Sequence, residues 1–358
     1  MTGQLRRGAE RTAALTAVAV AVVLAGAGCA RDTSGSTPDA EDGGIVHVVC
    51  GATEEWCAAT TARFSSTTGV RADFVRLSSG EALARLKAGR GSVEFDVWYG
   101  GPADGFAAGG AEGLLTAYVS PNAEVIPARY KDAGGIWTGV YVGALGFCSN
   151  PKLLSERGLA VPDSWADLLD PKLAKDIGIA HPSTSGTAYT ALWTQVVLAG
   201  GDTDKALGYM RRLHPNVLQY TKSGAAPAQM TARGEVAVGV IFSHDCVAAK
   251  EAGFPDLTVS FPAEGTGYET GGVALVNGTK NPVSARKFVD WALTVEAQEI
   301  GPTVKSYQFP TNPGAKVSDK VVDLHAIPLV EYDAVEAGAA KTALNRRFDG
   351  EVAQAPKS

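Results

Sequence analysis

The chain has 358 residues, 38 acidic against 32 basic for a formal net charge of −6, with 45% hydrophobic and 20% charged side chains. This composition is ordinary for a globular protein and excludes disorder along most of the chain, while the length suits about two domains. The acidic balance argues against a general nucleic-acid or anionic-membrane surface. The 42 Gly and 18 Pro show no G-X-Y period, so the chain is not collagen-like. The one long apolar run lies at the N-terminus, which excludes a polytopic membrane protein.

That run reads as an address. Arg6, Arg7 and Arg11 precede an apolar core from Ala13 to Ala25, and small residues then lead to Cys29. A positive start, a short apolar core and small residues make a secretory signal. The segment resembles a bacterial lipoprotein signal, in which Cys29 becomes the lipidated N-terminus, although Gly26 stands where such signals usually carry Leu. Residues 30–44 are rich in Ser, Thr, Gly, Asp and Pro and read as a disordered tether. Four further cysteines, Cys50, Cys57, Cys148 and Cys246, permit two disulfides in an exported chain, with three possible pairings. Closeness in sequence favours Cys50–Cys57, and position beside expected strand ends favours Cys148–Cys246.

From residue 45 short apolar runs alternate with helical stretches. Strands are expected over 45–50, 70–77 and 93–99, with helices over 54–67, 81–88 and near 103–108. Such alternation indicates βαβ units and a mostly parallel sheet. A longer Gly-containing extended stretch, 137–147, could carry the chain between two lobes. A second α/β block follows, with helices over 165–169 (Ser164 as N-cap), 186–199, 203–213 and 227–233 and strands over 177–180, 235–242 and 257–261. The chain closes with a strand over 270–276 and helices over 282–293, from 296, and over 332–347.

Four places share one form, an apolar run, a small polar loop and then a helix start. They hold Ser78-Ser79-Gly80, Gly100-Gly101, Ser183-Thr184-Ser185-Gly186-Thr187 and Ser243-His244-Asp245. In open α/β sheets ligands bind beyond the carboxyl ends of strands, where helix N-termini offer free N–H groups and a partial positive charge. Gly lets a ligand approach the backbone, and hydroxyls add donors. His244 and Asp245 follow a strand expected to be buried, so a polar clamp is expected there. Glu269, set among glycines in Gly267-Tyr268-Glu269-Thr270-Gly271-Gly272, is a further candidate. No compact metal-ligand spacing occurs, and G-x-S-x-G, G-x-x-x-x-G-K-[ST] and H-E-x-x-H are all absent.

The chain resembles the solute-binding proteins of bacterial ABC importers, in the ferric-iron-type branch that also includes sugar-phosphate, phosphoglycerate, aminoethylphosphonate and thiamine binders. The resemblance runs from Ile45 to Gln308 and rests on 77–80 (LSSG), 95–98 (FDVW), 112–115 (EGLL), 164–168 (SWADL), 182–189, 261–266 (FPAEGT), Asp290-Trp291 and 296–298 (EAQ). It implies a two-lobe α/β fold of the periplasmic-binding-protein type II kind, with the ligand in the cleft between lobes. Lobe 1 would comprise 45–142 and, with the C-terminal helix, 261–358, and lobe 2 would comprise 143–260. It further implies a monomer without cofactor or nucleic-acid partner that does no chemistry. Such a protein hands a small anionic solute to a permease driven by a separate ATPase, and touches the membrane only through its lipid, on the outer face.

In the sugar-phosphate binders the S-G-T loop holds phosphate while a His-Asp pair and a Glu meet sugar hydroxyls. The resemblance places those roles on Ser185, Gly186, Thr187, His244 and Asp245, with Glu269 or Glu264 as the Glu. Ferric-iron binders use adjacent tyrosines, whereas Tyr189 and Tyr220 here stand alone. An aminoethylphosphonate ligand would instead set its ammonium on Asp245 or Glu269. A ferric-iron carrier is the alternative within the class, and a secreted phosphate-ester hydrolase is the alternative outside it.

Overall fold

The computed structural model describes residues 44–354; the expected signal, Cys29 and the tether up to residue 43 lie outside the described residues. Three strand–helix pairs open the described chain: β1 (Ile45–Cys50) and α1 (Glu54–Thr68), β2 (Arg71–Arg76) and α2 (Ser79–Ala88), β3 (Val97–Pro102) and α3 (Ala103–Ala111). β1 lies between β2 and β3, parallel to both. After the short β4 (Leu115–Thr116) comes β5 (Thr138–Ser149), then α4 (Pro151–Glu156), β6 (Ile177–Ala180), α5 (Gly186–Leu198) and α6 (Thr203–Leu213). β7 (Val217–Thr221), α7 (Ala226–Ala232), β8 (Val238–Phe242), α8 (Ser243–Glu251) and β9 (Thr258–Ser260) complete a second α/β region. The chain ends with β10 (Tyr268–Val276), α9 (Pro282–Ala292), α10 (Val295–Gln298), β11 (Phe309–Pro310) and α11 (Ala334–Glu351).

β5 explains how two halves become one molecule. Its first part pairs antiparallel with β10 and β11, and its second part pairs antiparallel with β8 and β9. All twelve of its residues are buried. Val140, Tyr141 and Val142 enter the core built on β1, β3 and α9, with Trp56, Phe64 and Phe288. Leu145 and Phe147 enter a second core with Trp165, Tyr189 and Met210. A strand buried on both faces at both ends reads as a continuous apolar and glycine run, which is the 138–149 pattern. β6 joins β7 and β8 in parallel, so each half keeps its βαβ units, but the sheet is mixed rather than mostly parallel, because β5 and β10 run antiparallel to the strands they pair with.

The last helix belongs to neither half alone. Gly338 lies against the backbone of α3, while Ala337, Leu344 and Phe348 enter the core built on α5 and α6. Both disulfides form in the expected pairing, Cys50–Cys57 and Cys148–Cys246.

Three local expectations need correction. The helix expected over 165–169 is a single tight turn, Asp167–Leu169. The Asp167 carboxylate accepts the N–H groups of Asp163 and Ser164, both at 3.1 Å, and Pro171 opens another short turn before a helix can grow. The strand β7 was not anticipated. Ser243, His244 and Asp245 form no loop but the first turn of α8, which starts directly after β8.

Candidate functional site

The carboxyl ends of strands from both halves meet at one cavity. From the first half come the loop after β1 (Gly51, Ala52, Thr53), Arg76 at the end of β2, and Ser78 and Ser79 at the start of α2. From the second come Ser185, Gly186 and Thr187 opening α5, and His244 and Asp245 opening α8. Tyr141 of β5 and Glu269 of β10 line it from the shared strands. The free space within it is about 50 Å³, enough for a few water molecules.

Three helices therefore start at this cavity. Ser185 is the N-cap of α5, its Oγ accepting from Ala188 N at 3.4 Å. At α2 the Glu81 carboxylate accepts from Ser78 N at 3.2 Å. Each helix start leaves backbone N–H groups without intrahelical partners and carries about half a positive charge, a setting that suits an anion.

A second group lining the same cavity is acidic and buried. His244 Nε2 stands 3.8 Å from Asp245 Oδ1 and 3.8 Å from Glu269 Oε1. Burial pushes the imidazole down to about 3, so it is neutral at physiological pH. Burial pushes the Asp245 carboxyl up to about 7, against the pull of the Arg76 charge. Glu269 is raised well above the usual carboxylate range, first by burial and then by the charges of Asp245 and Asp104. A carboxyl raised by burial, a neutral imidazole and a titrating carboxyl together offer both donors and acceptors, as a polyhydroxylated solute requires. His244, which lines the cavity, has its Nδ1 buried with no hydrogen-bond partner. A bound molecule is one way to satisfy such an atom. Gly143 makes the room, since a Cβ there would lie 2.7 Å from His244 Nδ1.

The two halves are pressed together. Gly80 N donates to Thr184 O at 3.0 Å. A Cβ on Gly186 would lie 2.6 Å from Pro102 Cδ. Arg76 donates from Nε to Ala52 O at 3.0 Å and from Nη2 to Ser223 Oγ at 3.2 Å, bridging the halves. This is a closed cleft.

Of the residues singled out in the sequence, Ser78, Ser79, Ser185, Gly186, Thr187, His244, Asp245 and Glu269 line the cavity. Ser183, Thr184, Gly100 and Gly101 do not. Ser183 Oγ bonds Asp349 at 3.1 Å, and Thr184 Oγ1 bonds the carbonyls of His181 and Lys222, so both brace the loop from behind. Gly100 and Gly101, with φ of 79° and 92°, form the irregularity inside β3 where its register with β10 shifts, and Gly101 N donates to the Tyr141 hydroxyl at 3.0 Å. Glu264 pairs with Ser164 at the exposed surface and is not part of the cavity wall. Arg76, Tyr141 and Gln308 line the cavity without having been anticipated. Among the described residues no group of three His, Cys, Asp or Glu side chains could hold a metal ion.

A two-lobed α/β molecule with one polar cavity gripped from both sides is built to enclose a small solute. The chain belongs to the bacterial extracellular solute-binding proteins, whose family model matches residues 59–328. This is the family that the sequence motifs resemble. A Haemophilus influenzae protein described as uncharacterized is 39% identical over 328 residues, covering 90% of this chain and 92% of its own length. The periplasmic binding protein AfuA from Actinobacillus pleuropneumoniae, solved with exogenous fructose-6-phosphate bound, superposes with a TM-score of 0.83 at 40% identity, over 86% of this chain and 98% of that one. The periplasmic binding protein P5PA superposes with a TM-score of 0.82 at 30% identity, over 86% of this chain and 99% of its own. No described helix is long and apolar enough to cross a membrane.

Proposed function

We propose that this protein captures a small phosphorylated sugar between its lobes and delivers it to the permease of an ABC importer driven by a separate ATPase. The observation that carries the reading is the two-sided chemistry of one cavity. Helix starts at Ser79 and Gly186 suit a phosphoryl group, and the buried His244, Asp245 and Glu269 suit hydroxyls. The fructose-6-phosphate bound to AfuA, at 40% identity to this chain, supports the same solute class.

Ser185, Gly186 and Thr187 would hold the phosphoryl oxygens, with Ser78 and Ser79 facing them from the first lobe. His244, Asp245 and Glu269 would hold the sugar. Lobe 1 would take residues 45–142 and 261–358 and lobe 2 residues 143–260, moving as a hinge about β5 and β10. The mature protein would be a monomer held to the outer face of the membrane by a lipid on Cys29. Binding without chemistry suits the site, since an imidazole held at about 3 is a weak base at neutral pH.

The test is thermal unfolding of the mature chain against hexose phosphates, glycerol phosphate, phosphoglycerate, aminoethylphosphonate, inorganic phosphate, thiamine and ferric citrate. A ligand at one hundred times its Kd adds ~2.7 kcal/mol, which raises Tm by a few degrees. A shift with hexose phosphates is the expected result. A shift confined to aminoethylphosphonate would assign Asp245 and Glu269 to an ammonium, and a shift confined to ferric citrate would overturn the reading. Turnover of a phosphate ester would place the protein among enzymes instead.

A further inference from the structure

Among the described residues lining the cavity, Arg76 is the one permanent cation. It ends an edge strand whose side chains alternate between exposed and half-buried positions. Its guanidinium crosses to the other half of the molecule, held by Ala52 O on one side and Ser223 Oγ on the other. An arginine has five N–H donors, and these two bonds leave three for another acceptor. Arg76 also borders a larger outer hollow of about 540 Å³, which shares Thr53, Arg76, Ala225 and Asp245 with the inner cavity. Arg76 therefore stands where the inner cavity and the outer hollow adjoin.

Charge arithmetic gives this position a role. A phosphomonoester near neutrality carries between one and two negative charges. Helix N-termini supply about half a charge each and are shared with their own caps. The acids lining the cavity repel an anion when ionised, and Asp245 lies near enough to Arg76 for their charges to interact. A full positive charge in fork geometry is what the cavity otherwise lacks.

We propose that Arg76 is the specificity-determining residue of the cleft, selecting phosphorylated over neutral or cationic solutes by pairing with the phosphoryl group. This rests on the sugar-phosphate reading above. Because the same guanidinium is held by both halves, pairing with the anion and bridging the halves are one event. Arg76→Gln removes both the charge and the fork, whereas Arg76→Lys keeps a point charge alone. Ser223→Ala removes the second-lobe anchor and keeps the charge.

The experiment is isothermal titration of fructose-6-phosphate into the wild type and these three variants, at low and high salt, with melts to confirm folding. Arg76→Gln should weaken binding about 10- to 100-fold, the loss expected for a hydrogen bond to a charged group, and should flatten the salt dependence. Arg76→Lys should recover part of the affinity and the salt slope. Ser223→Ala should weaken binding less and leave the salt slope unchanged. If Arg76→Gln binds within twofold of a wild type that itself binds, with the same salt slope, the inference falls while the sugar-phosphate reading stands. A wild type that binds no sugar phosphate overturns both. Should Arg76→Gln fail to fold, Arg76→Lys decides, and parity with the wild type counts against the inference.

Discussion

Asp104 Oδ1 and Lys341 Nζ stand 2.8 Å apart, 1% and 4% exposed, in the seam between α3 and α11. The ammonium also lies 3.5 Å above the Tyr189 ring, and the Tyr332 hydroxyl donates to Asp104 Oδ2 at 2.9 Å. Farther along α11, Arg347 pairs with Asp204 and Glu351 with Arg211, each at 2.7 Å. The helix is thus fixed to α3 by a buried ion pair and to α6 by exposed ones. Exposed pairs contribute ~0–1 kcal/mol, whereas breaking the buried pair would strand a charge in the core.

Removing one partner of that pair should be costly. Lys341→Met leaves a buried carboxylate without its cation, and the expected loss is about 3–5 kcal/mol in urea unfolding. Asp104→Asn combined with Lys341→Met should recover much of it, because no lone buried charge remains. A single variant that loses under about 1 kcal/mol would show the pair behaving as a surface one.

Closure can be blocked at one glycine. Gly186 opens α5 in helical conformation, so alanine suits its backbone, yet the added Cβ would lie 2.6 Å from Pro102 Cδ and 3.1 Å from Ser79 Oγ across the cleft. Gly186→Ala should leave the ligand-free melt unchanged and hold the lobes apart. If the closed form falls to one molecule in a hundred, apparent affinity falls about 100-fold. Small-angle scattering with saturating fructose-6-phosphate should show compaction in the wild type only.

The Ser185–Thr187 turn is expected to contribute hydroxyl donors. Ser185→Ala with Thr187→Ala should weaken sugar-phosphate binding by ~1.5–3 kcal/mol per lost charged hydrogen bond. Its cost in stability should be smaller, about 1 kcal/mol, for the lost cap on α5. Unchanged affinity in titration calorimetry would remove the phosphoryl group from this turn.

Stability should depend on pH through the buried cluster, in opposing directions. Asp245 rises from 3.8 to about 7 on folding, so its folded form holds a proton that the unfolded form has lost. Its penalty is absent at low pH and grows as pH rises through about 7. His244 falls from 6.5 to about 3, so its contribution is absent at very low pH and complete above about 6.5. Asp245→Asn removes the first effect, leaves that of His244, and eases the upward push on Glu269 in the same direction. Its Tm relative to the wild type should therefore climb between pH 4 and pH 8. A constant difference would mean that Asp245 ionises normally in the folded protein.

Legibility in the sequence followed locality. His244-Asp245 stood out because a charged dipeptide after Val238–Phe242 is unusual, and Cys50 and Cys57 are only seven residues apart. The helix over 203–213 carries a strong apolar stripe and was read to the residue. Arg76 gave no local signal, because an arginine ending an edge strand reads as solvated. Its cavity position depends on Ser223, 147 residues away. Tyr141 was hidden in a run that looked wholly structural. Gly100 and Gly101 look in the sequence like places of ligand approach, yet the register shift in β3 and the packing of Ser79 already require them. β7 was missed because it is an edge strand with Leu218 exposed, so it lacks the apolar run that marked its neighbours.

The two disulfides also bracket the cleft. Cys50–Cys57 spans the loop holding Ala52, whose carbonyl anchors Arg76. Cys148–Cys246 ties β5 to the helix that begins at Ser243 and carries His244 and Asp245. Each closes on a wall of the cavity, and native bonds of this kind contribute about 2–4 kcal/mol. Maturation of the cleft is thereby tied to the compartment in which the chain folds. Made in a thiol-rich cytoplasm, the chain would have both walls untethered, so recombinant protein from an oxidising compartment is the proper material for measuring its ligand.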